Sequence, residues 1–277
     1  MICSIQTENQ RQTGEAFGLK WSRKSTYLSQ QMVSKRKKWF NERYGDLENA
    51  DWWDSYSEPV LLDAGCGAGV SAMEVFGSRI NKLKYIGIDI SNSIEVAKQR
   101  FEQEGYEGQF YQTDMMTWNS PIDCIFAEGT LHHTDSTKAA IVHLAKHLRP
   151  NGRFIFYVYN KKGWLREWTD DFIRARLSGK NETDKWNALY PLTRLGVFLG
   201  KLNIPLQRWF YYKVCKAFYS PELTLEEMNH INFDWFAPAN CHRQTPEEVR
   251  SWCAEAGLNI YRLVVEPSGI TVHAVKE

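Results

Sequence analysis

Between residues 59 and 159 the chain alternates short apolar runs with stretches of helical period. The runs at 60–64, 83–91, 108–115, 122–127 and 154–159 are rich in Ile, Val, Tyr and Phe and too short for helices, so they predict strands. Residues 70–78, 94–104 and 137–148 instead carry the pattern of helices that pack on a sheet by one face. Ser71 is a candidate cap for the first of them, and Gly105 stops the second. Strand–helix alternation of this kind predicts a doubly wound α/β sheet. The C-terminal stretch breaks the rhythm. Thr245-Pro246-Glu247-Glu248 is a strong helix start, the helix ends at Gly257, and strands at 258–265 and 270–275 follow as an antiparallel pair.

Two stretches lie outside this alternation. Residues 1–13 are polar and predict a frayed start. After them come the apolar island Phe17-Gly18-Leu19-Lys20-Trp21 and a helical segment at 28–44, whose Lys35-Arg36-Lys37-Lys38 run reads as a solvated face. The second stretch, residues 160–244, is mostly helical in pattern, is interrupted by Pro191, Pro205 and Pro221, and holds fifteen of the chain's 38 aromatics. The division expected is therefore an N-terminal helical or lid segment (1–58), a sheet core (59–159 and 245–277) and an aromatic-rich helical cap (160–244).

Bulk composition narrows the picture only a little. A formal net charge of +1 across 277 residues supplies no basic field for nucleic acid. The six cysteines, Cys3, Cys66, Cys124, Cys215, Cys241 and Cys253, form no CxxC pair, which points to reduced thiols in a cytoplasmic compartment. No apolar run reaches the ~18 residues of a membrane span, and the N-terminus lacks the apolar core of a signal peptide.

The chemistry concentrates at strand ends. The first strand closes on Asp63 and runs into Gly65-Cys66-Gly67-Ala68-Gly69, a turn that exposes bare backbone to a ligand. A dinucleotide site wants its third glycine where Val70 stands, and the acid suits an ammonium group better than a diphosphate. Asp89 follows 26 positions after Asp63, and Asp114 a further 25 on. Taken alone, Asp89 also reads as a helix N-cap. Together these features resemble the motifs of class I S-adenosylmethionine-dependent methyltransferases. The resemblance covers residues ~59–159 and ~245–276 and implies a sheet of order 3-2-1-4-5-7-6 with its last strand antiparallel. It implies S-adenosylmethionine as cofactor. Asp63, Gly65, Cys66, Gly67 and Gly69 would support the amino-acid end, Asp89 and Ile90 the ribose, and Asp114 and Met115 the adenine, with Glu128 completing the set. The Arg149-Pro150-Asn151-Gly152 turn departs from the family's "L-[KR]-P-G-G" connection at Asn151, a residue that tolerates left-handed backbone.

After the fourth strand, Leu131-His132-His133 resembles the family's substrate-side loop. A neutral imidazole there can take a proton from an attacking hydroxyl or amine, so His132 and His133 are the catalytic candidates, at most one of them facing substrate. The alternative is that one packs in the core and the other caps a helix; without a third ligand they are a poor metal site, and none is expected. Substrate candidates are Trp21 in the apolar island (lid or packing pin), Tyr159 at the end of the fifth strand, and Trp235, His242 and Arg243 near the end of the insertion. The insertion leaves the sheet on its carboxyl side, so it is expected to cover the pocket of a hydrophobic or ring-bearing small molecule. Its aromatics alternatively pack among themselves, meet a second copy of the chain as a homo-oligomer, or face a membrane surface. The function expected is methyl transfer to a small molecule. A tRNA or protein methyltransferase, a binding module without activity and an enzyme of non-methyl chemistry are the alternatives.

Overall fold

The computed structural model describes residues 6–277; residues 1–5, Cys3 among them, lie outside the described residues. Helices α1 (Glu8–Ser22) and α2 (Gln30–Tyr44) precede the sheet. Strands β1 (Val60–Ala64), β2 (Lys84–Asp89), β3 (Gln109–Gln112), β4 (Ile122–Glu128) and β5 (Leu148–Tyr159) then alternate with α3 (Val70–Phe76), α4 (Ile94–Glu104) and α5 (Thr137–Ala145). Five helices follow, α6 (Trp164–Leu177), α7 (Glu182–Ala188), α8 (Tyr190–Leu202), α9 (Ile204–Lys213) and α10 (Leu225–Phe236). The chain closes with α11 (Pro246–Glu255), β6 (Leu258–Val265) and β7 (Gly269–Lys276).

The strands form one sheet in the order β3-β2-β1-β4-β5-β7-β6. Neighbours from β3 to β5 are parallel, while β7 runs antiparallel to both β5 and β6. This is the order and polarity implied by the strand-end motifs. Alternation along β1 sends Leu61 to one apolar layer, with Tyr85, Phe101 and Phe126, and Leu62 and Ala64 to the other, with Ile86, Ile125 and Leu144. Both faces of the central strands are thus covered, which is why they read as continuous apolar runs.

Local rules account for most element ends. Thr224 and Thr245 each form a reciprocal capping box, with Glu227 and Glu248 respectively. Asn151 adopts φ 62°, the left-handed conformation its place in the turn requires. Three expectations are corrected. Among the described residues the polar start is not frayed: the Thr7 side chain caps α1 by accepting from the Gln10 amide at 3.1 Å and also donates to Asp135. Ser71 caps nothing, because Gly69 occupies the cap position and Ser71 lies inside the first turn of α3. The basic run on α2 is only partly solvated: Arg36 pairs with Glu74 and donates to the Tyr27 carbonyl, while Lys37 and Lys38 face water.

Candidate functional site

At the carboxyl ends of β1, β2 and β4 the structure encloses a cavity of about 400 Å³, walled by the sheet on one side and by α1, α2 and the inserted helices on the other. The turn after β1 forms part of its rim. Gly65 (φ 84°) and Gly67 (φ 53°) both take left-handed backbone. A Cβ on Gly67 would stand 2.6 Å from the indole nitrogen of Trp21, and one on Gly65 would run into the Thr130 side chain. Glycine is required here by close approach as well as by φ.

Asp89 holds this turn in place. Its carboxylate accepts from the Gly67 amide at 2.8 Å and from the Ser91 amide and hydroxyl at 2.8 and 2.6 Å, yet it still lines the cavity. It does not cap α4, whose cap position is Ser93. Ile90, Asp114, Met115 and Glu128 line the same lobe. Asp114 accepts from the Met116 amide at 2.9 Å, and Glu128 accepts from the Tyr44 hydroxyl. Burial pushes the Glu128 carboxyl up to about 8, outweighing the opposing pull of the Arg43 charge, so this group holds its proton near neutrality.

Asp63 is placed otherwise than expected. It faces Tyr85, whose hydroxyl donates to it at 2.7 Å, and it does not reach the cavity wall. The reason is the pleat: residues 61 and 63 share a face of β1, and that face packs on Tyr85 of β2. Burial pushes the Asp63 carboxyl up to about 7, against the lowering effect of the Tyr85 hydrogen bond. Cys66, Gly67 and Gly69 likewise shape the turn without lining the cavity.

The two adjacent histidines separate cleanly. His132 is fully buried and tilted against Tyr159, ring centroids 3.8 Å apart, and neither ring nitrogen has a hydrogen-bond partner among the described residues. His133 lines the cavity. Its Nδ1 lies 2.6 Å from the Asn240 carbonyl, which accepts only if Nδ1 carries the proton. That leaves Nε2 as a bare lone pair, buried and without a partner. Burial pushes this imidazole down to about 4, so it is neutral at physiological pH.

Of the substrate candidates, Trp21, Tyr159 and Trp235 line the cavity and His242 and Arg243 do not. His242 is exposed, with its backbone amide bonded to the His132 carbonyl at 2.8 Å. Arg243 pairs with Glu167 at 2.8 Å and with Asp171 at 2.5 Å, so its charge is already committed on the outer side. Sequence reasoning missed four charged groups on the far wall. Asp234 of α10 accepts from Lys20 and from the Tyr159 hydroxyl. Lys162 and Lys216 also line the cavity, and among the described residues neither has a carboxylate within salt-bridge reach. The Lys216 ammonium sits 4.7 Å from the Trp235 ring and 5.6 Å from that of Tyr159. Burial pushes it down to about 8. The signal was present as single charges in apolar runs, Cys215-Lys216-Ala217-Phe218 and Phe233-Asp234-Trp235-Phe236.

A family model described as a methyltransferase domain matches residues 56–196. Curated relatives include O-methyltransferase rstn1 of Aspergillus nomiae, 30% identical over 99 residues, which are 34% of this chain and 43% of that protein. Another is the ubiquinone biosynthesis O-methyltransferase of Rickettsia conorii, 24% identical over 43% of this chain and 46% of its own length. The chain thus spans less than half the length of these two relatives. Among solved structures, magnesium protoporphyrin IX methyltransferase of Synechocystis PCC 6803 with bound SAM superposes at a TM-score of 0.53, covering 99% of each chain at 14% identity. An O-methyltransferase family 2 protein from Planctomyces limnophilus in complex with apigenin gives 0.54, covering 99% of this chain and 63% of that one at 16% identity. At such identities these two likenesses show a shared fold.

The raised Asp63 carboxyl has a consequence for stability. A carboxyl lifted from 3.8 unfolded to about 7 folded stabilises the native state below pH 4 and loses that contribution as pH rises to 7. Asp63→Asn is therefore expected to raise the melting temperature relative to wild type at pH 8 and to give little or no gain at pH 4. Thermal melts at the two pH values check this.

Proposed function

The chain belongs to this methyltransferase-domain family, and on that premise we propose that it transfers a methyl group from S-adenosylmethionine to a small, largely apolar acceptor carrying an acidic group. The observation that carries the proposal is the two-sided wall of one cavity. One side presents Asp89, Asp114 and Glu128 around the Gly65 backbone, and the other a histidine with an unpartnered Nε2. Acids around bare backbone fit a nucleoside that bears an ammonium and a sulfonium. Asp89 would hold the ribose hydroxyls, Asp114 and the Met115 amide the adenine, and Glu128 the charged end. Asp63, behind the turn, acts on the ligand only by supporting this frame.

When bound, the cofactor supplies a methyl group already attached to a strong leaving group. The protein's task is alignment, which supplies about 7–11 kcal/mol in well-oriented systems. His133 Nε2 accepts the acceptor's hydroxyl proton as the oxygen–methyl bond forms, while the Asn240 carbonyl keeps Nδ1 protonated and the ring in one tautomer. Tyr159 and Trp235 give the acceptor apolar faces, and the aromatic walls exclude water. α1 serves as a lid through Trp21 and Phe17, and the segment 160–244 as a cap that selects the acceptor.

The acidic group is argued from Lys216, since the Lys162 ammonium already donates to the Pro267 carbonyl. An ammonium held in an aromatic wall without a carboxylate partner is costly unless the ligand supplies the anion, and one charge-assisted hydrogen bond contributes about 1.5–3 kcal/mol. Asp234 attracts Lys216 but lies beyond salt-bridge distance of it and is bonded to Lys20 and Tyr159, so it offsets that charge only in part. The five cysteines among the described residues are buried free thiols, which supports a reducing, cytoplasmic setting.

Three outcomes follow. Calorimetry with S-adenosylhomocysteine should show binding by the wild type and a severe loss in Asp89→Ala; unchanged affinity removes the ribose role. His133→Ala should lower kcat by about a hundredfold or more at saturating cofactor with cofactor affinity retained, and wild-type kcat should stay level from pH 8 to 6 because the imidazole titrates near 4. Lys216→Met should raise KM about tenfold or more for an acceptor bearing a carboxylate, with little change for its methyl ester. Steady-state kinetics on the acid and ester pair reads this out.

A further inference from the structure

Helix α8 is amphipathic in the wrong sense for a helix that only stabilises the fold. The face it buries carries Thr193, Gly196 and Gly200, and it packs so closely that a Cβ on Gly196 would stand 2.7 Å from the Phe218 carbonyl. The face it turns outward carries Leu195, Phe198 and Leu202 at helical spacing, with Phe198 63% and Leu202 65% exposed. The apolar stripe continues around the corner through Ile204 to Trp209 of α9, itself 56% exposed. Leu192 and Val197 pack at the edges of the buried face, but the largest apolar side chains of α8 stay outside, so a contact outside the folded chain is implied.

The charges flanking the stripe identify that contact. From Lys185 to Pro221 the chain has no Asp or Glu, while Arg194, Lys201, Arg208 and Lys213 lie beside the exposed apolar residues and are themselves exposed. A second copy of the chain docked by this face about a two-fold axis would bring the four cations against their own copies with no acid in the segment to offset them. An anionic bilayer offers the complement to both features, an apolar interior for Phe198, Leu202 and Trp209 and phosphate headgroups for the cations. No helix among the described residues is long and apolar enough to cross a membrane, so the contact lies along the surface.

We propose that α8 and α9 form an interfacial docking surface that seats the protein on anionic lipid bilayers. Helix α9 carries both functions on neighbouring residues: Tyr211 lines the cavity while Tyr212 is exposed beside Lys213. The docked face is thus the outer side of the wall that encloses the cavity.

The test is cosedimentation of the full chain with vesicles of phosphatidylcholine alone and of phosphatidylcholine with about 30 mol% phosphatidylglycerol. Expected are binding to the anionic vesicles that weakens with salt, about tenfold weaker binding to the neutral ones, and loss of binding in Phe198→Ser/Trp209→Ser and in Lys201→Glu/Arg208→Glu. These positions are solvent-exposed, so both variants should melt like the wild type, and a melting shift would be answered by the single substitutions Phe198→Ser and Lys201→Glu. Absence of vesicle binding, or binding that both pairs of substitutions leave intact, overturns the proposal. So does a dimer in sedimentation velocity that Phe198→Ser/Trp209→Ser dissociates, which would assign the face to a second copy.

Discussion

One half-buried carboxylate joins the three parts of the chain that make the cavity. Asp234 on α10 accepts from Lys20 on α1 and from Tyr159 at the end of β5. The Asp234 side chain is 21% exposed, so leaving its charge unpaired there would be costly, and the two bonds tie the three elements to one another. The charge of Lys20 dominates the attraction and, with nearby Lys216, holds the Asp234 carboxyl well below the usual range despite burial. The N-terminal helix is accordingly an integral wall, further tied to the connection before α11 where the Ala239 and Asn240 amides donate to the Gln12 and Thr13 side-chain oxygens.

The sheet was legible in the letters because its signals are local. Each parallel strand is a short apolar run with a turn behind it, and three strand-end acids at near-equal spacing mark the same edge of the sheet. The strand order followed from resemblance to a family; periodicity gave only the strands. The site was legible in halves. Asp89, Ile90, Asp114, Met115, Glu128 and His133 line the cavity, as strand ends and the loop after β4 had suggested. Asp63 does not, because strand alternation turns it toward Tyr85, a relation between two strands that spacing along one cannot reveal. Arg243 and His242 fail for a similar reason: nothing local says that Glu167 and Asp171, over seventy residues away, have claimed the guanidinium.

The far wall was illegible because it has no motif. Lys20, Lys162, Lys216 and Asp234 come from α1, the loop after β5, the segment after α9 and α10, and only tertiary packing brings them together. Single charges inside apolar runs were the trace they left. The insertion also shows how a count of aromatics misleads. Trp186 and Trp235 are core, whereas Trp209 faces outward, and only the burial of Gly196 and Gly200 on the opposite side of α8 makes the sense of the outward face clear.

Glu128 has a consequence of a different kind. With its carboxyl lifted to about 8, the empty cavity keeps a proton that an arriving cation would drive off, because a neighbouring positive charge pulls the group back toward the ionised form. On the proposed placement of the ligand's ammonium beside Glu128, a more acidic surrounding competes with that ammonium for the same oxygens, so the hold on the ligand weakens as pH falls.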